Sequence, residues 1–371
     1  MPEPDLFAEA QRQLTICNAC RYCEGYCAVF PAMELRRELT DGDVVFLAHL
    51  CHDCRACYYA CMYTPPHQFA VNVPRVLGQV RQATYERYAW PGMLGRLVRE
   101  VRLSAGVAAG AVLLVAALVF LLTGPARLFT PHRGPGAFYE VISYEVTVIS
   151  GLAMAFYVAA VWASGGARFW RETAGLPRGA MSLRSFVVVM WEAATLRWLR
   201  GGGPGCPYPQ ERASSKRRLL HALVFYGFLA AVASTTLAAV YQDLLHRLPP
   251  YPVTSAPVVL GMLGGAGMIV GSAGLFLLKA GSDPSPAEAG VVTLDYSFLI
   301  ILGLAAVTGM LTLVLRGTAA MGTALTIHLG LVAALYITAP YGKFVHAVYR
   351  VVALLRNQVE QHEARHRGAP P

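Results

Sequence analysis

The sequence predicts a mainly α-helical protein, in which a small cysteine-rich domain is followed by a bundle of six membrane-spanning helices. Of the 371 residues, 55% are hydrophobic and only 14% are charged, whereas about 25% are charged in an ordinary soluble domain. Eight of the nine cysteines lie in two short runs within the first 61 residues. The change in composition places the boundary near residue 95, which gives domains 1–95 and 96–371.

Six stretches are apolar and long enough to cross a bilayer, which takes about 20 residues of helix. The first, "SAGVAAGAVLLVAALVFLLT", is uncharged, whereas the second contains Glu140 and Glu145 and is the weakest. Beyond these two glutamates we expect no acidic relay within the bilayer. The fifth and sixth stretches are separated only by "RGTAA", which predicts a tight hairpin. The predicted spans are roughly 104–123, 138–163, 219–241, 256–279, 294–315 and 319–340.

Basic residues predict the orientation of the spans, because Lys and Arg gather in cytoplasmic loops. The connection 164–218 has ten of them, so we expect it and both chain termini to be cytoplasmic. The opposite side has only Arg127, Arg133, Arg247 and Arg316. Residues 181–200 mix Trp, Arg and apolar side chains, which predicts an interfacial helix rather than a seventh span. The net charge of +9 then reflects loops at a membrane and does not indicate a nucleic-acid partner.

The two cysteine runs, "CNACRYCEGYC" and "CHDCRACYYAC", share the spacing C-x2-C-x2-C-x3-C. This spacing is typical of paired [4Fe–4S] clusters, in which three cysteines of a run bind one cluster and the fourth binds the other. One predicted ligand set is Cys17, Cys20, Cys23 and Cys61. The other is Cys51, Cys54, Cys57 and Cys27. The segment between the runs has helical spacing, which favours an α-helical ferredoxin-like domain over the small β-rich kind.

Three alternatives compete with the clusters. Disulfides need an oxidising compartment, structural zinc usually takes two cysteine pairs separated by a longer gap, and inert buried cysteines would not repeat one spacing twice. Cys206 stands alone in "GGGPGCPYP" and is expected to be an unliganded thiol. His49, His52 and His67 lie among the runs and are expected to line the clusters.

Histidines in the spans are candidate axial ligands of haem iron, because clusters beside a bilayer call for a second redox group within it. His346 follows His328 by eighteen residues, which on one continuous helix is five turns, or about 27 Å. His221 opens the third span and would pair with His346 on an inner haem b. His246 would pair with His328 on an outer haem, with His132 as the substitute. The alternative for each histidine is a packing role.

Nearly the whole chain resembles the tricarballylate-utilization protein B family, also called the citrate-utilization B family. The stretches that show this most specifically are "CHDCRACYYACMYTPPH", "GGGPGCPYPQERASSKRRLLHALVFYGF" and "HLGLVAALYITAPYGKFVHAVYR". The resemblance implies a protein of the bacterial inner membrane that carries iron–sulfur clusters and haem b. Such a protein reoxidises an FAD-dependent tricarballylate dehydrogenase on the cytoplasmic side and passes the electrons to membrane quinone. The family tends to have a histidine where this chain has Gln242.

Parts of the chain also resemble two other protein groups. The cysteine domain is similar to the C subunit of heterodisulfide reductase. The histidines near the last span resemble those of the cytochrome b-like gamma subunits of respiratory nitrate reductase.

Two classes of function remain open from the sequence. The first is electron transfer; the second is a membrane transporter or sensor with a regulatory iron–sulfur domain. Glycine-rich spans such as "LGMLGGAGMIVGSAG" occur in transporters, but glycine is also common where ordinary membrane helices pack closely. No glycine-rich dinucleotide fingerprint follows a strand, so we expect no flavin and no organic-substrate chemistry in this chain itself.

Overall fold

The computed structural model describes residues 5–97, 100–173, 182–201, 203 and 205–366. Helices dominate the described residues, whose strands are limited to one antiparallel ribbon of β1 (Cys206–Pro207) and β2 (Ala213–Ser214). The predicted mainly α-helical fold, with an α-helical cysteine domain, is confirmed.

The cysteine domain is built from short helices around a compact apolar core. They are α1 (Leu6–Cys20), α2 (Val29–Glu34), α3 (Asp41–Leu50), α4 (Ala56–Tyr59), α5 (Val73–Tyr88) and α6 (Gly92–Leu97). The sequence "TDGD" starts α3 with a capping box, in which Thr40 and Asp43 bond each other's backbone N–H. Leu14, Phe46 and Leu77 are fully buried where α1, α3 and α5 meet.

The helices after α6 include six that are long and apolar enough to span a membrane, as predicted. These spans are α7 (Val101–Thr123), α9 (Tyr144–Thr173), α11 (Lys216–Asp243), α12 (Ala256–Ala280), α13 (Ala289–Val314) and α14 (Met321–Thr338). The shorter helices are α8 (Pro125–Leu128), α10 (Leu183–Ala194) and α15 (His346–His366), with 3-10 turns at Ala137–Glu140, Arg197–Arg200 and Lys343–Val345. The hairpin between the fifth and sixth spans is present at residues 315–320.

Glycines bring α11 and α12 into close contact. A Cβ added at Gly227 would lie 2.8 Å from the carbonyl oxygen of Gly264, and one added at Gly271 would lie 2.8 Å from that of Leu220. The glycine-rich stretch of α12 therefore packs backbone against backbone on α11, as small residues do between membrane helices. This packing fixes the first turns of α11, where His221 lies.

The second span differs from its prediction at both ends. It begins at Tyr144, so Glu140 lies before it in a 3-10 turn, and it continues to Thr173, ten residues into the predicted loop 164–218. The extension is helical because its apolar face packs on the cysteine domain. Phe169 is fully buried there, and the hydroxyl of Tyr88 donates to Glu172 at 2.8 Å.

Helix α10 has the amphipathic character that the sequence predicts for residues 181–200, of which residue 181 lies outside the described residues. Its twelve residues are too short to span a bilayer. Leu183 and Trp191 are exposed, at 80% and 70%. On the opposite face, buried Glu192 accepts hydrogen bonds from Arg197 and Trp198. An exposed apolar face and a satisfied inner face suit a helix at the membrane interface.

The last predicted span is not continuous with His346. Helix α14 ends at Thr338, a 3-10 turn follows, and α15 begins at His346. Pro340 lies in the break. Proline has no backbone N–H, so it cannot donate the hydrogen bond that would continue the helix. The five-turn count that placed His328 and His346 on one helical face is therefore wrong.

Candidate iron–sulfur and haem site

The two cysteine runs share one backbone feature. In each run the residue directly after the second cysteine has a left-handed backbone: φ is 55° at Arg21 and 65° at Arg55. Residues other than glycine seldom adopt this conformation. The runs differ before this point, because Cys17 and Cys20 lie in the last turn of α1, whereas Cys51 and Cys54 are not in a helix. Cys20 ends α1, and Cys57 lies in the first turn of α4.

The thiols gather across the two runs. Burial, followed by the neighbouring thiol of Cys61, raises the pKa of Cys17 and of Cys23. Burial, followed by the neighbouring thiols of Cys54 and Cys51, raises the pKa of Cys27. One pocket is lined by all four thiols of the first set and by Cys57 of the second. The fourth cysteine of each run thus lies with the first three of the other run, which is the arrangement that crossed ligation requires.

Burial disfavours the negatively charged thiolate form of these cysteines. Desolvation first, and then neighbouring thiols, raise the pKa of Cys17 to about 12. Backbone N–H groups donate to two of the sulfurs: Asp53 donates to Cys51 Sγ at 3.4 Å, and Tyr63 donates to Cys61 Sγ at 3.3 Å. Both donors lie two residues after the cysteine that accepts. Hydrogen bonds to the sulfurs are one of the features that tune iron–sulfur clusters.

The donor set suits a cluster, because four cysteine thiols, three from one run and the fourth from the other, are the ligands of a [4Fe–4S] cluster. Among the described residues, no group of three or more His, Cys, Asp or Glu is placed to hold a single metal ion. All nine cysteines are free thiols rather than disulfides.

Three arginines hold the backbone of the second cysteine loop, and the sequence analysis missed all of them. Arg81 donates to the carbonyl of Cys51 at 3.2 Å, and Arg350 donates to the same oxygen at 2.7 Å. Arg217 donates to the carbonyls of His52, at 3.1 Å, and Asp53, at 2.5 Å. Their positive charges surround a site whose four thiolates would otherwise repel one another.

His221 and His346 face each other. Each lies four residues from one of these arginines, His221 from Arg217 and His346 from Arg350. Their ring centroids are 6.3 Å apart, and the rings are nearly perpendicular at 87°. Two imidazoles on opposite sides of one metal have centroids about 6 Å apart, since each metal–nitrogen bond is about 2 Å and the ring centre lies beyond the nitrogen. At this separation both imidazoles would be able to hold one iron.

The protonation of the pair also suits ligation. The Nδ1–H of His346 donates to the carbonyl of Lys343 at 2.6 Å, which leaves Nε2 as the free nitrogen. Burial, followed by the charge of Lys343, lowers the pKa of His346 to about 3, so the ring is neutral. Nδ1 of His221 is buried without a hydrogen-bond partner among the described residues. These observations fit a haem, with His221 and His346 as the residues that would hold it.

His328 lies elsewhere and is packed as a structural residue. Its Nδ1 donates to the carbonyl of Ala305 at 3.0 Å. Its ring lies against Gly309, where an added Cβ would be only 2.9 Å from Cε1 of the imidazole. Glycine at position 309 thus makes room for the ring between α13 and α14.

The structure does not assemble the outer histidine pair that the sequence suggested. Helix α11 ends at Asp243, so His246 is not on its face, and the residue is exposed with φ at 51°. His132 bonds the carbonyl of Arg127 at 2.6 Å. In the described part of the chain, neither residue makes a ring contact with His328. Gln242 accepts a hydrogen bond from Tyr139 at 2.5 Å, so its position serves to hold a loop.

Asp295 is a fourth residue of the site that the sequence analysis missed. It lies in α13, is 9% exposed, and pairs with Lys279 at 2.6 Å and Lys343 at 2.8 Å. The sequence analysis expected no acidic relay beyond Glu140 and Glu145 and did not consider Asp295, which is a buried ion-pair partner of two lysines. The available signal was a lone aspartate in the apolar run "GVVTLDYSFLI", since ionisable residues within spans are usually functional.

One further cysteine and three histidines lie near the cysteine runs, and each contacts different groups. Cys206 is fully buried against Cys54, and its thiol donates weakly to the carbonyl of Leu199 at 3.4 Å. His52 lies in the second cysteine loop, where its Nδ1 bonds the carbonyl of Leu50. His49 instead bonds Thr84 at 2.8 Å within a cage of aromatic rings. His67 packs on Tyr63 and Phe69.

Comparison with known proteins agrees with both parts of this architecture. The family model described as "Citrate utilization protein B Fer4-like domain" matches residues 10–87, and "Citrate utilization protein B" matches residues 96–369. Citrate utilization protein B of Escherichia coli is 39% identical over 372 residues, which cover 99% of this chain and 96% of that protein. No solved structure matches. The Fer4-like match supports iron–sulfur binding by the cysteine domain, and the chain belongs to the citrate utilization protein B family.

Proposed function

We propose that this protein carries electrons from a soluble FAD-dependent dehydrogenase, through two [4Fe–4S] clusters and one b-type haem, to membrane quinone. One observation carries the proposal. Arg217 lies four residues before His221 on α11, and Arg350 lies four residues after His346 on α15. Because residues four apart share a helical face, each helix presents a histidine to the haem site and an arginine to the second cysteine loop. The two redox sites are thus tied together at neighbouring turns.

The two thiol sets differ in solvent exposure, and this difference supports a direction for electron flow. Cys20 of the first set is exposed, and beside it Tyr22 and Met62 are 63% and 66% exposed. In the second set, Cys51 and Cys54 are only 7% and 6% exposed. A soluble donor would therefore reach the first cluster, and the second cluster would connect it with the histidine pair. The haem, when bound, supplies a one-electron redox couple within the bilayer.

The partner dehydrogenase is inferred from a sequence without a dinucleotide fingerprint after a strand and from the relatives of this chain. No dinucleotide fingerprint follows a strand in the sequence, so the flavin would belong to the dehydrogenase. The name of the Escherichia coli relative refers to citrate utilization, and the family resemblance implies tricarballylate as the substrate of the dehydrogenase. Oxidation of tricarballylate to cis-aconitate releases two electrons and two protons. The flavin can accept this pair and pass the electrons on singly.

The orientation follows from the basic loops. The cysteine domain, α10 and α15 lie on the same side as the arginine-rich connection between α9 and α11, and basic loops face the cytoplasm. We therefore place the cysteine domain and both termini on the cytoplasmic side of a bacterial inner membrane. On this side the dehydrogenase would dock, and the exposed face of α10 would lie on the lipid surface.

The test is purification of the full chain in detergent, with analysis of iron, acid-labile sulfide and haem. Two clusters give about eight sulfides per chain, and one haem adds sharp b-type bands to the reduced-minus-oxidised spectrum. The reduced protein should then be oxidised by a short-chain quinone. Clusters without haem and without quinone reduction would contradict the proposal and favour a transporter or sensor with a regulatory iron–sulfur domain.

A further inference from the structure

Four arginines around the second thiol set donate hydrogen bonds to main-chain carbonyl oxygens. Three of them, Arg81, Arg217 and Arg350, bond the carbonyls of the second cysteine loop. The fourth, Arg55, lies in that loop and donates to the carbonyl of Asp283 at 3.1 Å. A carbonyl oxygen accepts a hydrogen bond but carries no full charge. The positive charge of each guanidinium therefore remains uncompensated by these bonds.

These charges are largely withdrawn from water and have few counter-ions. Arg55 and Arg81 are 1% and 5% exposed, and Arg217 and Arg350 are half-buried. Among the described ion pairs, the one that involves any of these arginines is a long contact of Arg55 Nε with Asp53, at 4.0 Å. The same Nε is buried without a hydrogen-bond partner in the described part of the chain. Since a buried charge without a counter-ion is unfavourable, the loop favours a negatively charged group.

The same charges favour reduction of a group that the second set holds. Arg81 and Arg350 both donate to the carbonyl oxygen of Cys51, so their guanidiniums lie within about 8 Å of the sulfur of that residue. Reduction adds one electron, and hence one negative charge, without moving a bond or a proton. Over that distance, at an effective dielectric constant of about 20, one positive charge favours the reduced state by about tenfold or more.

Burial acts in the opposite direction, because a low-dielectric environment disfavours the state with more charge. The first set is itself partly buried at Cys17, Cys23 and Cys61, so only the difference in burial between the two sets opposes the arginines. The loop "CHDCRAC" contains one carboxylate, that of Asp53. Four guanidiniums outnumber it, and the potentials of like charges add. The surroundings of the second set therefore favour the added electron.

The charges around the first thiol set are of a different kind. Arg21 lies at the position equivalent to Arg55, directly after the second cysteine of its run, but it is exposed. Its Nε donates to the carbonyl of Asn18 at 3.2 Å. Glu24, three residues later, is also exposed. Water and salt screen exposed charges, and these two have opposite signs, so they bias the first set much less.

We propose that Arg55, Arg81, Arg217 and Arg350 give the second cluster the higher reduction potential, so that a single electron on the protein rests there. The inference rests on the proposed electron-transfer function and adds the direction of transfer between the two thiol sets. One electron leaves the exposed first site, which is oxidised, and enters the buried second site, which is reduced. The arginines favour this step because they neutralise the added charge.

A redox titration of the full-length protein in detergent, followed by electron paramagnetic resonance, tests this order. The signal that Cys54→Ser removes identifies the second cluster, and in the wild type it should appear first as the potential is lowered. Arg55→Met should lower the equilibrium constant for its reduction by about tenfold, which is about 59 mV for one electron. Arg21→Met is the matched control, because Arg21 has the same place in its run and the same left-handed backbone. It should move the potential of the first cluster much less.

Asp53→Asn should have the opposite effect, which separates charge from support of the loop. Asparagine has nearly the same shape and tolerates the left-handed backbone of this residue, whose φ is 51°. The variant also keeps the backbone N–H that donates to Cys51. Loss of the carboxylate charge should raise the potential of the second cluster. A general disturbance of the loop would not move the potential upward in Asp53→Asn and downward in Arg55→Met.

Equal potentials in the wild type, or a first cluster that is reduced before the second, would overturn the inference. Unchanged potentials in Arg55→Met would do the same. If Arg55→Met does not assemble the second cluster, the wild-type order and the sign of the shift in Asp53→Asn decide. A chain with fewer than two clusters would overturn both this inference and the proposed function. If the order holds but the reduced protein reduces neither haem nor quinone, the proposed function is wrong and the order of the clusters stands.

Discussion

Arg350 donates a hydrogen bond to the carbonyl oxygen of Cys51 at 2.7 Å, and it does so from the helix that begins with His346. The bond joins a cysteine loop near one end of the chain to a helix at the other end. Arg217 makes the equivalent contact from the helix of His221, to the carbonyl of His52. The position of the second thiol set is therefore fixed by the two helices that carry the histidine pair.

Replacing Arg350 by Met should disturb the second cluster selectively. The change leaves the carbonyls of Leu50 and Cys51 with fewer donors, and the loss of a charge-assisted hydrogen bond costs about 1.5–3 kcal/mol of stability. Electron paramagnetic resonance of the reduced protein should show a weakened or shifted signal from one cluster and an unchanged signal from the other. Arg75→Met is the control, since Arg75 is 55% exposed and pairs with Glu288 at the surface. Two unchanged clusters in Arg350→Met would contradict the role of this bond.

Crossed ligation predicts which cluster each cysteine affects. Cys20→Ser and Cys54→Ser should each remove about half of the iron and sulfide and destabilise the cysteine domain, because metal binding supplies folding energy. Cys27→Ser should alter the buried cluster of the second run, although Cys27 belongs to the first run in sequence. Cys206→Ser should keep the full iron content and serves as the control. An effect of Cys27→Ser on the exposed cluster alone would show that the fourth ligands are not exchanged.

Replacing His221 or His346 by Ala should abolish the low-spin haem signal, because the iron then lacks one axial imidazole. The clusters should remain, so iron should fall only by the haem iron and acid-labile sulfide should not change. His132→Ala, in the loop at the far end of the bundle, should keep the haem and is the control. Normal haem content in either inner variant would reject the pair. If only His346→Ala lost the haem, the second ligand would lie on another helix.

Asp295→Asn should destabilise the bundle strongly, because Lys279 and Lys343 would then lose their shared counter-ion. Leaving one partner of a buried ion pair uncompensated costs about 3–5 kcal/mol. Lys279→Met leaves the pair of Asp295 with Lys343 and should cost much less. Thermal unfolding in detergent measures both variants, with exposed Glu145→Gln as the control. Equal melting temperatures for Asp295→Asn and the control would show that the carboxylate does not hold the two lysines.

The sequence predicted much of the fold because its strongest signals are local. Six apolar runs gave six helices, with bounds that moved by up to ten residues where the second span continues onto the cysteine domain. Pro340 was visible in the sequence, but only the structure shows that the chain breaks there and resumes as α15. The structure does not bring His246 and His328 together, for a related reason. The residue count assumed a continuous helix through His246, whereas α11 ends at Asp243.

By itself, the sequence determined which residue types are available: the repeated spacing of eight cysteines, the apolar spans and the histidines near their ends. Such patterns are set by the period of a helix or a loop, so they can be read along the chain. The tertiary structure alone decided which groups meet. Arg217 and Arg350 reach the second cysteine loop, and Asp295 meets Lys343, across sequence separations that carry no periodic signal. These contacts exist because the helices pack in one arrangement, which no local pattern specifies.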